Sequence, residues 1–331
     1  MSINILPLGK PIVAPWSYNG HIFSILSAGS QNYIPWLNSN FLTLELAQGL
    51  NGDDTIITFK YISCPFISDQ KINRKSITYW HKDIIEFFKE CIDLNYYIYL
   101  FVDQFFISCY PNYNKNHVAH DPMISGYDDL KGVFFLSDFT LAEDSSLRYQ
   151  TTEIPYNEVE QAYLNLPTEW DHSNGITLFQ YCNNVNEPFN KELVKVELKD
   201  YLNSRFSYKP YLSLSLSHNV KSKYGLEIYD SIINSSISME EMDFRFFHVI
   251  EIHKSLMFNK IKFLRENGYI SDKHHENFKK IKLKSELIRN ISLKNSIKPR
   301  DSISSKIRNL LSDIQEIEKE SLRKVLLELE R

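Results

Sequence analysis

The chain has 331 residues, 43% hydrophobic and 24% charged, so it can bury a sizeable core; a disordered tail and a mini-protein held by disulfides or a metal are excluded. The net charge of −4 hides two halves: residues 1–199 carry 13 Lys/Arg against 23 Asp/Glu, and residues 200–331 carry 24 against 18. With 10 Gly against 20 Tyr and 21 Phe, and with no GxGxxG or GxxxxGK pattern, the chain is poor in phosphate-cradling loops and a nucleotide-binding enzyme is disfavoured.

The start, Met1-Ser2-Ile3-Asn4-Ile5-Leu6-Pro7, lacks a basic residue and an apolar core, and no run approaches the roughly 18 apolar residues of a membrane span. Neither secretion nor membrane insertion is expected, and the location expected is cytoplasmic. In chain order, Ser17-Tyr18-Asn19-Gly20 reads as a turn ahead of a buried helix beginning at Ile22-Phe23-Ser24-Ile25-Leu26. Gly49 to Asp54 reads as a second turn. Ser76 to Ile92 has helical spacing, with Trp80, Ile84, Ile85, Phe88 and Ile92 on one side. Tyr96 to Val102 is apolar on both faces and predicts a central strand. Pro122 to Tyr127 and Gly132 to Asp138 predict a hairpin around Asp128-Asp129-Leu130-Lys131.

Asn190 to Ser222 reads as a crossing region, and from Tyr224 the pattern turns helical. The acids Glu240-Glu241 suit a first helical turn, Gly268 suits a helix end, and Ile303 to Leu329 keeps a helical period throughout. The charge break then divides the chain into an α/β domain, 1–200, and a helical domain, 201–331. The fold class expected is α+β, an antiparallel sheet with packed helices followed by a mostly helical region.

The four cysteines, Cys64, Cys91, Cys109 and Cys182, are far apart and show no CxxC or zinc-type Cys/His spacing. Reduced thiols, no metal and no cofactor are expected. The stretch that carries chemistry is His117-Val118-Ala119-His120-Asp121-Pro122, followed by Phe134-Phe135-Leu136-Ser137-Asp138. A histidine entering one strand and an acid on the next strand of the same hairpin are neighbours, the pairing by which a carboxylate fixes a histidine tautomer. A stabilising hairpin-mouth pair fits the same residues.

His120 with Ile124-Ser125-Gly126-Tyr127-Asp128 and Ser137-Asp138 resembles the His, apolar strand, Gly-Tyr-Asp turn and next-strand Asp of papain-like proteins. More narrowly, together with Phe244 to Met257 and Leu287 to Lys294, the chain is similar to the family named for the N-terminal domain of butirosin biosynthesis protein H, from bacterial peptide and antibiotic gene clusters. The resemblance implies a papain-like fold and acyl transfer, in which a cysteine takes an acyl group from a carrier-protein thioester and an amine accepts it. The family's cysteine begins the first helix. Here that stretch is Ser17, Tyr18, Asn19, Gly20 and His21, without a cysteine.

Two function classes follow. In the first, an acyltransferase or amide-forming enzyme, His120 is the base, Asp138 orients it, and Cys109 or Ser17 receives the acyl group; Ser17 also suits a helix cap, and Cys109 an inert buried thiol. His21 and Tyr127 are the candidate substrate-binding residues. In the second, the papain-like region is catalytically inactive and serves as a binding or assembly partner. For either, Lys279, Lys280, Lys282 and Lys284 are the candidate docking residues for an acidic acyl or peptidyl carrier protein. The same lysines also suit a solvated helical face. A homodimer stays open, and nucleic acid is the least favoured partner, because the basic helices carry core-type apolar periodicity.

Overall fold

The computed structural model describes residues 2–29, 32–40, 43–48, 55–60, 64–81, 83–207, 222–235, 242–297 and 303–331. The expected turn at Gly49 to Asp54 and the acids Glu240 and Glu241 lie outside these residues. The first strands and helices are β1 (Ile3–Ile5), α1 (Ser17–Ala28), α2 (Tyr33–Ser39), β2 (Thr43–Gln48), β3 (Thr55–Lys60), β4 (Ile67–Asn73), α3 (Arg74–Trp80), α4 (Ile84–Asp93), β5 (Tyr97–Leu100) and β6 (Val102–Asp103). There follow β7 (Ala119–His120), β8 (Met123–Asp128), β9 (Val133–Leu141), β10 (Leu147–Pro155), α5 (Tyr156–Leu164), β11 (Gly175–Tyr181) and α6 (Lys191–Leu202). The chain ends with β12 (Ser222–Tyr224), α7 (Glu227–Ile233), α8 (Phe244–Glu266), α9 (His275–Ile297) and α10 (Ile303–Leu329). The class is α+β, and no helix among the described residues is long and apolar enough to cross a membrane.

The chain forms two compact units, each assembled from two stretches: Met1–Gln31 with Pro65–Asn186, and Asn32–Cys64 with Glu187–Arg331. The helical unit thus begins before residue 201 and takes in the β2–β3 hairpin. The reason is non-local: Lys223 of β12 pairs with Leu46 of β2, a ladder that no local pattern announces.

In the first unit the antiparallel sheet runs β10-β9-β8-β5-β11-β4, with β1 also on β8. Strand β5 is central as expected, with Ile98 paired to Ile124 of β8 and to Leu178 of β11. The β8–β9 hairpin closes where Asp128 accepts from Leu130 N (2.9 Å), and Gly132 takes φ +67°, a left-handed conformation that costs glycine nothing. A bulge at Ser125, between Ile124 and Gly126 in the register, lets β1 continue the edge of β8 where β5 stops.

Three local expectations are corrected. Helix α1 begins at Ser17 rather than Ile22: the expected turn is its first turn, closed by Gly20 N to Trp16 O at 3.0 Å. The helix tolerates Gly20, at about 1 kcal/mol, because a side chain there meets Tyr149, whose Cε2 lies 2.4 Å from the Cβ position. The single helix over 76–92 is two, since Asp83 caps α4 by accepting from Ile85 N (3.0 Å) and Glu86 N (3.1 Å). Trp80 is consequently 68% exposed and leaves the apolar side. Finally, the crossing region holds α6, capped by Asn190 through Leu193 N (2.9 Å) and burying Val194, Leu198 and Tyr201 at helical spacing; residues 208–221 of that region lie outside the described ones.

In the helical unit, Gly268 ends α8 as expected, at φ +73°, with its N–H on Arg265 O (3.0 Å) and Tyr269 N on Leu264 O (2.9 Å). The buried stripe of α8 runs Phe247, Ile250, Lys254, Met257, Ile261, Leu264, so a lysine occupies a core position. Its Nζ lies 2.7 and 2.9 Å from the two Glu318 oxygens of α10 and 2.9 Å from the Tyr201 hydroxyl. Tyr201 and Tyr229 each donate to Glu318 Oε2, at 2.9 and 3.0 Å. Both charged side chains are fully buried. Burial pushes Lys254 below the usual ammonium range against the pull of Glu318.

Candidate functional site

His120 closes β7, opposite Val102 of β6, and the β8–β9 register sets Met123 against Ser137. This geometry brings Asp138 to the ring: His120 Nε2 is 3.3 Å from Asp138 Oδ2, and Nδ1 is 3.3 Å from Asp121 Oδ1. Asp138 is fully buried, whereas the imidazole is 25% exposed. Each carboxylate is held by a tyrosine. Tyr110 donates to Asp138 Oδ2 at 2.5 Å, and Tyr99 of β5 donates to Asp121 Oδ2 at 3.1 Å. Phe139 N satisfies Asp138 Oδ1 at 2.7 Å. Burial raises the Asp121 carboxyl, but its hydrogen bond to His120 and the neighbouring imidazoles outweigh that and hold it below the usual carboxylate range.

His21 reaches the same cluster from α1. Its Nε2 lies 2.8 Å from the Asp121 carbonyl oxygen and its Nδ1 2.9 Å from the Tyr149 hydroxyl. A carbonyl only accepts, so Nε2 carries a hydrogen, and in the neutral ring Nδ1 accepts from Tyr149. Gly20 makes this possible, because a side chain there displaces the Tyr149 ring. His21 is fully buried, and burial pushes its pKa below the usual histidine value of 6.5, against the opposing pull of Asp138 and Asp121.

That displacement makes a pH prediction. As pH falls below about 6.5, the unfolded chain takes up a proton at His21 before the folded chain does, so folded stability is lost on acidification. The fall in thermal midpoint between about pH 7 and pH 5 should be shallower in His21→Gln, which keeps a donor near the Asp121 carbonyl. An unchanged pH slope in that variant would refute the assignment.

The candidate nucleophiles are placed less favourably. Ser17 is the first residue of α1 and is buried; it is not the cap, a position held by Trp16, whose side chain makes no capping hydrogen bond. Cys109 is buried, and burial followed by the charge of Asp138 pushes its thiol up to about 12. A thiol so held is not a thiolate at neutral pH. None of the four cysteines is in a disulfide, and Cys64 is half-buried.

Tyr127 lies near the far end of β8 from the cluster, where its hydroxyl donates to Asp93 (2.9 Å) and meets Ser2 Oγ (3.1 Å). This hydroxyl ties α4 to the chain start. Of the four candidate docking lysines on α9, Lys279 and Lys280 are exposed. Lys284 pairs with Asp313 at 2.6 Å, and Lys282 with Glu286 at 3.4 Å while facing the Phe258 ring. Half of the expected basic face therefore serves contacts within its own unit.

The sequence did not single out Asp121, Tyr99, Tyr110 or Tyr149. Asp121 adjoins His120 and offered a signal; Tyr110 stands 28 residues from Asp138 and Tyr149 128 from His21, separations that carry none. Chemically, the cluster holds one imidazole between two carboxylates and a second imidazole against a carbonyl and a phenol. No known protein-family model matches this sequence, and no curated protein matches it.

Proposed function

We propose that this protein is a catalytically inactive, papain-like member of a natural-product pathway, acting in the cytoplasm as a binding or assembly partner for an acidic carrier protein. The resemblance to the butirosin biosynthesis protein H N-terminal domain family supplies the pathway class. One observation carries the inactivity: both ring nitrogens of His120 face carboxylates at 3.3 Å, whereas a general base faces the nucleophile it activates. The exposed Lys279 and Lys280 support docking of an acidic surface.

Acyl transfer from a carrier-protein thioester to an amine is the second reading. The buried Asp138 against His120 favours it, because that pairing supports an imidazolium formed during such chemistry.

The test offers the full chain an acidic acyl carrier protein bearing an aminoacyl phosphopantetheine thioester, with an amine present. The expected result is salt-sensitive binding, weakened in Lys279→Glu/Lys280→Glu, with thioester loss at the background rate. Turnover that disappears in His120→Ala establishes the second reading instead. Absence of binding overturns carrier docking.

A further inference from the structure

We infer that the two histidines of the cluster hold opposite protonation states: His21 is a neutral ring, and His120 is an imidazolium with one N–H committed to Asp121 and the other to Asp138. The inference rests on hydrogen-bond geometry and stands independently of whether the protein turns over a substrate.

A neutral imidazole has one N–H and one lone pair. At His120 the neutral ring sets that lone pair against an anionic oxygen at 3.3 Å, whichever tautomer is chosen. Moving the proton to a carboxyl does not relieve this. Both Asp138 oxygens already accept, from Phe139 N and from Tyr110, and donors aimed at a carboxyl favour its ionised, acceptor-only form. Asp121 Oδ2 accepts from Tyr99, and the Asp121 carboxyl lies below its ordinary range. The proton therefore belongs on the ring.

His21 shows the reverse. A backbone carbonyl on Nε2 and a phenol on Nδ1 satisfy a neutral ring fully, and its burial opposes charge. The groups facing His120 include Asp121 beside it, Asp138 from β9, Tyr110 edge-on with ring centroids 5.2 Å apart, and His21 from α1. Cys109 adds no charge, since its thiol stays protonated. Environments that push two like groups apart divide the acid and base roles between them. At neutral pH His120 is accordingly a proton donor, and its net field with the two aspartates is that of a single negative charge.

The test is long-range 1H–15N NMR of the full chain with ring-labelled histidine, using His120→Asn and His21→Gln for assignment. Between about pH 6 and 8, His120 should show the near-equal ring nitrogen shifts of an imidazolium, and His21 the widely split pair of a neutral Nε2–H tautomer. In Asp138→Asn the His120 midpoint should fall by roughly one unit or more, while His21 stays split. Asp121→Asn, which keeps the backbone carbonyl that His21 uses, repeats the test if the first variant does not fold. A split, neutral His120 pair at pH 7 in the unmodified chain overturns the inference, as does a charged His21.

Discussion

Lys254→Met should remove about 3–5 kcal/mol of stability, the cost of leaving one partner of a buried ion pair without the other. Glu318 is left in the core with the Tyr201 and Tyr229 hydroxyls still donating to it, but with no positive charge to offset its desolvation. The pair itself is a different matter. Its attraction is set against two burial penalties, so Lys254→Met/Glu318→Leu should lose less than Lys254→Met alone, although the longer chain of substitutions removes more native bonds. Urea unfolding of the single and double variants gives both numbers. A single variant within about 0.5 kcal/mol of the parent would mean that water reaches the pair, contrary to its complete burial.

The second large effect is expected at Asp138. Asp138→Ala strands the fully buried Tyr110 hydroxyl and leaves His120 without the carboxylate on Nε2. The expected loss is about 3 kcal/mol, combining a charge-assisted hydrogen bond with an unsatisfied buried donor. Tyr110→Phe/Asp138→Ala should lose less than the sum of its singles, because the second change removes the donor that the first one stranded. Additive losses in that cycle would show that Tyr110 and Asp138 do not act as a pair.

Both effects arise from polar groups placed where apolar patterns predict core, and they mark how far the sequence could be read. The central strand at Tyr97 to Leu100 was legible because its residues are apolar on both faces. The hairpin was legible because Asp128 and Gly132 are turn residues between two apolar runs. Helix α10 was legible because Ile307, Leu311, Ile314, Leu322, Val325 and Leu329 repeat at helical spacing. The separate start of α4 at Asp83 was hidden, since a capping aspartate competes with an apolar period that runs on past it. At α1, glycine and asparagine suggested a turn, and packing against Tyr149 overrode that propensity.

By itself, the sequence determined the α+β class, the central strand, the β8–β9 hairpin that carries Asp138, and the long terminal helix, because each depends on residues close together in the chain; His120 lies just ahead of that hairpin, on β7 against β6. Only the tertiary structure decided that the second carboxylate on His120 is Asp121, that Tyr99 and Tyr110 hold the two acids, and that His21 fills the helix face beside them. It likewise decided that Lys254 meets Glu318, 64 residues away. These are meetings of side chains from separate strands and helices. Hydrophobic periodicity fixes which face of an element is buried, whereas the register and packing of distant elements fix which polar groups then find each other.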